Sequence, residues 1–115
     1  MATTPQLDMA LIDGYLEVLD IDVIEQMLAL YIQQSALYLV AIDSTVAALD
    51  QQAWQEQCHK MKGSAASVGL IQVHQKLIAI EKSTEDWATK AEHVRSLAEI
   101  NQTAISAFQQ WFAEQ

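Results

Sequence analysis

Apolar residues recur at helical spacing through almost the whole of this 115-residue chain, and its only proline, Pro5, lies near the start. Because proline breaks the interior of a helix, no later segment is interrupted by one. The apolar positions repeat every three or four residues and nowhere alternate as they do in a half-buried strand. The pattern predicts an all-α protein. The length suits one hydrophobic core, so we expect a single domain over residues 1–115, with residues 1–6 frayed.

The predicted helices are joined by short links, which place neighbouring helices antiparallel. We therefore expect an up-down four-helix bundle with an additional short helix at the N-terminus. Asp8 is the expected N-cap of the first helix, and Gly69 suits the end of the third. Either Ser83 or Thr84 is expected to cap the fifth. The predicted helices span residues 8–19, 21–49, 52–68, 70–82 and 86–113.

The third predicted helix carries the most informative pattern. At about 100° per residue, its apolar positions fall within a sector about 80° wide, which predicts the face buried in the bundle. His59 lies about 140° from the centre of that sector and is expected to face water. The lone cysteine falls inside the sector and is expected to be a small buried hydrophobe. The sector comprises Trp54, Cys58, Met61, Ala65 and Val68.

The exposed side of the same helix is unusual in its residue types. Gly63 lies one turn after His59, although glycine costs about 1 kcal/mol relative to alanine inside a helix. Together with Ala66 it leaves the imidazole standing above a surface of small residues, which a second protein can approach closely. Lys62 places a positive charge at the edge of this surface. Gln55 and Glu56 complete the predicted docking surface around the histidine.

This constellation resembles the signature of the histidine-containing phosphotransfer (HPt) domains, and most of all those at the C-terminus of hybrid sensor kinases of the anaerobic-respiration type. The family's helix carries a histidine, then lysine and glycine three and four residues later, then a small residue, and a glycine near its end. Ala65, Ala66 and Ser67 also fit the family pattern. The matching positions are His59, Lys62, Gly63, Ser64 and Gly69.

The resemblance implies a phosphorelay carrier in two-component signal transduction. His59 would accept a phosphoryl group from a receiver-domain aspartate and pass it to a receiver aspartate by in-line transfer, and Lys62 would stabilise the phosphoryl charge. The expected partners are receiver domains of response regulators or of a hybrid histidine kinase. The Mg²⁺ and the aspartate would belong to that receiver, so no cofactor or metal is expected on this domain.

The residue types are consistent with a phosphoryl carrier, and the sequence lacks the motifs of a kinase. A neutral imidazole nitrogen is a good nucleophile near physiological pH, and phosphoryl transfer depends mainly on positioning and charge neutralisation. The chain contains neither a P-loop nor a kinase-type glycine loop. We therefore expect a phosphotransfer intermediate rather than an enzyme. Whether it is free-standing or a fragment of a hybrid sensor kinase stays open.

Charge and composition exclude several other classes. The formal net charge is −9 with only six lysines and arginines, so the chain lacks the basic face that nucleic acids or anionic membranes require. No apolar run approaches the roughly 18 residues that span a bilayer, and no signal peptide is visible. One cysteine makes no internal disulfide, which favours the cytoplasm. A four-helix set buries its own apolar stripes, so we expect a monomer.

Other residues of the sequence allow more than one interpretation. Glu56 either orients the imidazole or is a solvated surface residue, and the second is favoured. Glu56 and His59 form a Glu-x-x-His pattern, but no second such motif exists for a di-iron site. His74 and His93 are expected to be surface or boundary residues. The aromatic residues Trp54, Phe108, Trp111 and Phe112 are expected to pack in or beside the core.

The alternative function is a helical docking module that binds a signalling partner without chemistry. A docking face alone would not need a histidine combined with Lys62 and Gly63. That combination favours the carrier.

Overall fold

A computed structural model describes residues 5–115 and confirms the all-α prediction. Within this range the chain contains no strand, apart from an isolated antiparallel bridge between Leu7 and Leu70. The ends of the helices agree with those predicted to within two residues. The helices are α1 (Met9–Val18), α2 (Ile21–Ala48), α3 (Gln51–Ser67), α4 (Ile71–Ile80) and α5 (Trp87–Ala113).

Four interfaces between pairs of helices close α2 to α5 into a bundle. Helix α2 packs against α3 and α5, and α4 packs against the same two helices. Each helix thereby buries its apolar stripe against two neighbours, which is how a bundle obtains most of its stability. No helix of the described range is long and apolar enough to cross a bilayer.

The N-terminal segment is tied to the junction between α3 and α4. The Asp8 amide donates to the Gly69 carbonyl at 2.8 Å, and the Ile71 amide donates to the Gln6 carbonyl at 3.2 Å. The expectation of a frayed start is therefore wrong at Gln6, while residues 1–4 lie outside the described range. Gly69 has a φ of 74°, and a Cβ there would lie 3.4 Å from the Asp8 Cβ. Glycine thus suits both the left-handed backbone and the close approach.

Three aspartates cap helices as acceptors of backbone N–H groups. Asp8 accepts from Leu11 and Asp50 from Ala53. The cap of α5 is Asp86, which accepts from Thr89 at 2.8 Å, so the prediction of Ser83 or Thr84 is wrong. The Ser83 hydroxyl instead accepts from the Glu85 amide, within the link before the helix.

A buried polar network joins α2 to α5. The Tyr31 hydroxyl donates to Asn101 Oδ1 at 2.6 Å, and Asn101 Nδ2 donates to the Ser35 hydroxyl at 3.1 Å. All three side chains are buried, and burial raises the pKa of Tyr31 well above its usual value. Since unpaired polar groups are costly in a core, the bundle is favoured in the alignment that satisfies all three.

Candidate functional site

The predicted phase of α3 is confirmed. All five residues of the apolar sector are buried, and Trp54 also donates its indole N–H to the Ile80 carbonyl at 3.0 Å. This bond and the packing fix α3 against the end of α4. The His59 side chain is 72% exposed on the opposite face, as the sequence predicts.

An acidic residue that the sequence reasoning missed lies against the histidine. Glu81, at the C-terminal end of α4, places Oε1 3.0 Å from His59 Nδ1 and Oε2 3.1 Å from Lys62 Nζ. Its side chain is only 9% exposed. A signal for it exists in the sequence, since Glu81 continues the stripe of Val73, Leu77 and Ile80, where an apolar residue is expected.

The electrostatics of Glu81 determine which imidazole nitrogen is available. Burial alone would raise the pKa of the Glu81 carboxyl, but hydrogen bonds from Lys62 and His59, together with their charges, bring it below its ordinary value. The carboxylate is therefore ionised at neutral pH and can only accept hydrogen bonds. It follows that Nδ1 carries the proton in the neutral ring and that Nε2 carries the lone pair. No described residue hydrogen-bonds to Nε2.

Lys62 lies beside the histidine, as predicted, but its charge is already engaged. The side chain is 23% exposed and donates to Glu81. Lys62 and Glu81 thus form a partly buried ion pair at the Nδ1 edge of the ring. The ion pair with Glu81 therefore holds Lys62 beside the histidine.

The other members of the predicted docking surface surround His59 on α3. Gly63 and Ala66 are exposed, and a Cβ on Gly63 would meet no atom within 4 Å. Glu56 is exposed and accepts from Gln52 at 3.3 Å. The ring is oriented by Glu81 and not by Glu56, so the favoured reading of Glu56 as a surface residue is confirmed. Gln55 is partly buried.

An open groove adjoins the imidazole on the side that faces the N-terminal end of α3. Its volume is about 360 Å³. One wall comes from α3 and the other from the residues that end α4. The lining residues are Gln55, Glu56, His59, Lys60, Glu81 and Lys82.

The other candidate ligands form no metal centre within residues 5–115, where no group of three or more His, Cys, Asp or Glu side chains is arranged to hold an ion. Cys58 is buried, and burial, with a smaller effect of the Glu81 charge, raises the pKa of its thiol to about 12. His74 lies at the boundary of the core. His93 also lies there, between Glu85 and Lys76. Trp54 and Phe108 are core residues, while Trp111 and Phe112 are partly buried.

Comparison with known proteins agrees with this geometry. A family model described as "Hpt domain" matches residues 26–111, a range that contains the histidine, the glutamate and the lysine of the site. Among solved structures, the chain is similar to the histidine-containing phosphotransfer domain of ArcB from Escherichia coli. The TM-score is 0.82 at 26% sequence identity, over 95% of this chain and 94% of that one. No curated protein matches the chain.

Proposed function

Because this chain belongs to the Hpt domain family and is therefore a histidine carrier of two-component phosphorelays, we propose that His59 is its phosphoacceptor. The observation that carries this proposal is the hydrogen bond from Nδ1 to Glu81, which leaves Nε2 without a partner within residues 5–115 on a side chain that is 72% exposed. Of the histidines, His59 alone combines an exposed ring with a free nitrogen and the lysine and glycine of the family signature.

The transfer step follows from this arrangement. Nε2 attacks the phosphorus of an aspartyl phosphate on a receiver domain, so that the N–P bond forms as the P–O bond breaks. The aspartate leaves as a carboxylate, and the imidazole ring, which keeps its Nδ1 proton, becomes positively charged. Glu81 faces that charge directly and stabilises the phosphorylated ring. The reverse step returns the phosphoryl group to a receiver aspartate.

Each neighbour of the histidine has a separate part in the proposal. Glu81 orients the ring and supports its charge. Lys62 compensates the charge of Glu81 and contributes positive potential toward the phosphoryl group. Gly63 and Ala66 leave room for the receiver, and Gln55 and Glu56 lie at the edge of its docking surface.

We also propose that the domain is a carrier without kinase activity of its own, that Mg²⁺ is held by the receiver, and that the domain acts as a monomer in the cytoplasm. The absence of nucleotide-binding motifs from the sequence supports a carrier without kinase activity, and the packing of α2 to α5 against one another supports a monomer. One partner domain at a time fits over a single exposed histidine.

The experiment uses a receiver domain labelled on its aspartate with ³²P. The domain should take up label that is stable in base and labile in acid, as expected for phosphohistidine. Phosphorus NMR of the product should place the phosphoryl group on Nε2. Receiver binding without uptake would favour a docking module, and a phosphoryl group on Nδ1 would contradict the assigned role of Glu81.

A further inference from the structure

The five lysines of this acidic chain fall into two classes. Lys60 and Lys82 are exposed, and neither makes an ion pair or hydrogen bond within residues 5–115. The other three are engaged by neighbouring groups. Lys62 donates to Glu81, Lys76 contacts the His93 ring, and Lys90 donates to Gln51 Oε1 and to the Glu85 carbonyl.

Both unpaired lysines line the groove beside His59. They come from different parts of the chain, since Lys60 follows the histidine on α3 and Lys82 follows Glu81 in the turn after α4. Lys62 does not line this groove. In a chain of net charge −9, two lysines without a partner among the described residues therefore line a groove that also contains the proposed phosphoacceptor.

A phosphoryl group on Nε2 carries close to two negative charges. Lys62, which is already paired with Glu81, is poorly placed to compensate these charges alone. Lys62 is bonded to the same Glu81 carboxylate that His59 Nδ1 contacts. Moving its ammonium to the phosphoryl group would break the ion pair between Lys62 and the 9%-exposed Glu81 carboxylate, which is unfavourable for a largely buried charge. An exposed lysine without a partner loses no such interaction.

We propose that Lys60 and Lys82 bind the phosphoryl oxygens across this groove, while Lys62 acts through Glu81. The inference rests on the proposed function, because it takes His59 as the phosphoacceptor. It adds two phosphoryl-binding residues outside the family signature, one of which lies after the end of α4 and not on the helix of the histidine.

The test compares Lys60→Gln, Lys82→Gln and the double variant with Arg95→Gln. Arg95 is an exposed residue of α5 that does not line the groove, so its variant removes the same charge from elsewhere on the surface. Phosphorylation is measured with a labelled phospho-receiver under single-turnover conditions and also with phosphoramidate, a small donor that has no docking surface. Circular dichroism confirms that each variant is folded.

We expect each single substitution to lower the maximal rate about 3-fold to 10-fold with both donors, and the double substitution about 10-fold to 100-fold, for lost interactions of about 0.7–2.7 kcal/mol. Arg95→Gln should change either rate less than about 2-fold. Retention of these losses at high salt would support direct contact with the phosphoryl group, since contact is screened less than long-range attraction.

Three results would overturn the inference. The first is an unchanged rate in the double variant. The second is a loss seen only in KM with the receiver, absent with phosphoramidate and removed by salt, which would mean that the lysines merely steer the encounter. The third is a wild-type domain that takes up no phosphate, which would also refute the proposed function. Normal uptake by the double variant beside a dead His59→Gln would refute the inference alone.

Discussion

The molecule contains two clusters built from the same three residue types, and they have opposite properties. In the first, Glu81 lies between His59 and Lys62, and the imidazole is 72% exposed. In the second, His93 itself lies between its partners, with Nε2 2.8 Å from Glu85 and Nδ1 3.1 Å from Lys76, and its side chain is 24% exposed. The central position belongs to the carboxylate in one cluster and to the ring in the other.

This difference shows what makes a histidine a carrier. A ring bonded through both nitrogens has no lone pair to offer, whereas a ring bonded only through Nδ1 is oriented and still nucleophilic. Residue types alone therefore do not identify the site. The order in which the three groups are hydrogen-bonded does.

The largest expected effect comes from exchanging the two histidines for glutamine. His59→Gln should abolish phosphoryl uptake, because an amide nitrogen is not a usable nucleophile, and should change stability by no more than about 0.5 kcal/mol at an exposed helical position. His93→Gln should take up phosphate at a rate within about 2-fold of wild type. Stoichiometric labelling of the His59→Gln protein by a phospho-receiver would reverse the roles of the two clusters.

The position of the first cluster also depends on the packing behind it. Trp54 of α3 is fully buried, and its indole N–H donates to the carbonyl of Ile80, the residue directly before Glu81. Trp54→Ala should cost about 3–5 kcal/mol of unfolding free energy in denaturant melts. Trp87, which is half-buried at the start of α5 and touches Trp54 edge to face, provides the control, and Trp87→Ala should cost less than about 3 kcal/mol. A loss of unfolding free energy below about 1 kcal/mol in Trp54→Ala would contradict the role of Trp54 in packing α3 against the end of α4.

The lysines of the two clusters, Lys62 and Lys76, are expected to differ in their effect on transfer. Lys62→Ala removes a positive charge beside the phosphoryl group and leaves the Glu81 carboxylate with the His59 ring as its remaining partner, so transfer should slow about 10-fold to 100-fold, for a lost interaction of about 1.4–2.7 kcal/mol. Lys76→Ala should leave transfer within about 2-fold of wild type. Single-turnover rates with a labelled phospho-receiver measure both. Equal losses in the two variants would point to a general effect of charge rather than to the local pairing.

A smaller effect is expected from the open surface beside His59. Gly63→Gln should slow transfer from a receiver by about 3-fold to 10-fold, a loss of about 0.7–1.4 kcal/mol, because a long side chain obstructs docking. Gly14, an exposed glycine of α1 that is equally free of neighbours, gives the matched control. Both glutamine variants should gain up to about 1 kcal/mol of stability from helix propensity. Normal transfer by Gly63→Gln would mean that the glycine is not needed for close docking.

The smallest effect concerns acid stability. The pKa of Glu81 lies below its ordinary value of 4.5, so its ionised form stabilises the fold above that pH, and the stabilisation is lost as the pH falls through the folded-state pKa. Glu81→Gln should therefore lower stability by about 1 kcal/mol at pH 7 and by less at pH 3. The control is Glu85→Gln, which should show a weaker, salt-sensitive difference because that carboxylate is exposed. A gap between wild type and Glu81→Gln that widens in acid would contradict the assigned charge state.

The helices and the exposed face of α3 followed from apolar periodicity, because burial in a bundle depends mainly on which side of a helix is apolar. Glu81 escaped prediction because its partner His59 is 22 residues away, and spacing within one helix carries no information about a neighbouring helix. Lys90 escaped for a related reason. It occupies the buried stripe of α5, where its ammonium lies 4.1 Å from the Trp87 ring and finds oxygen acceptors that only the assembled fold supplies.

The buried network of Tyr31, Ser35 and Asn101 has an evolutionary consequence. Each member satisfies another, so a substitution at one position leaves a buried donor or acceptor of a second without its partner. Relatives that share this bundle should therefore retain the trio together or replace it together with apolar residues, and intermediate combinations should be rare. Correlated substitution at positions 31, 35 and 101 among relatives would then reflect the contact between α2 and α5.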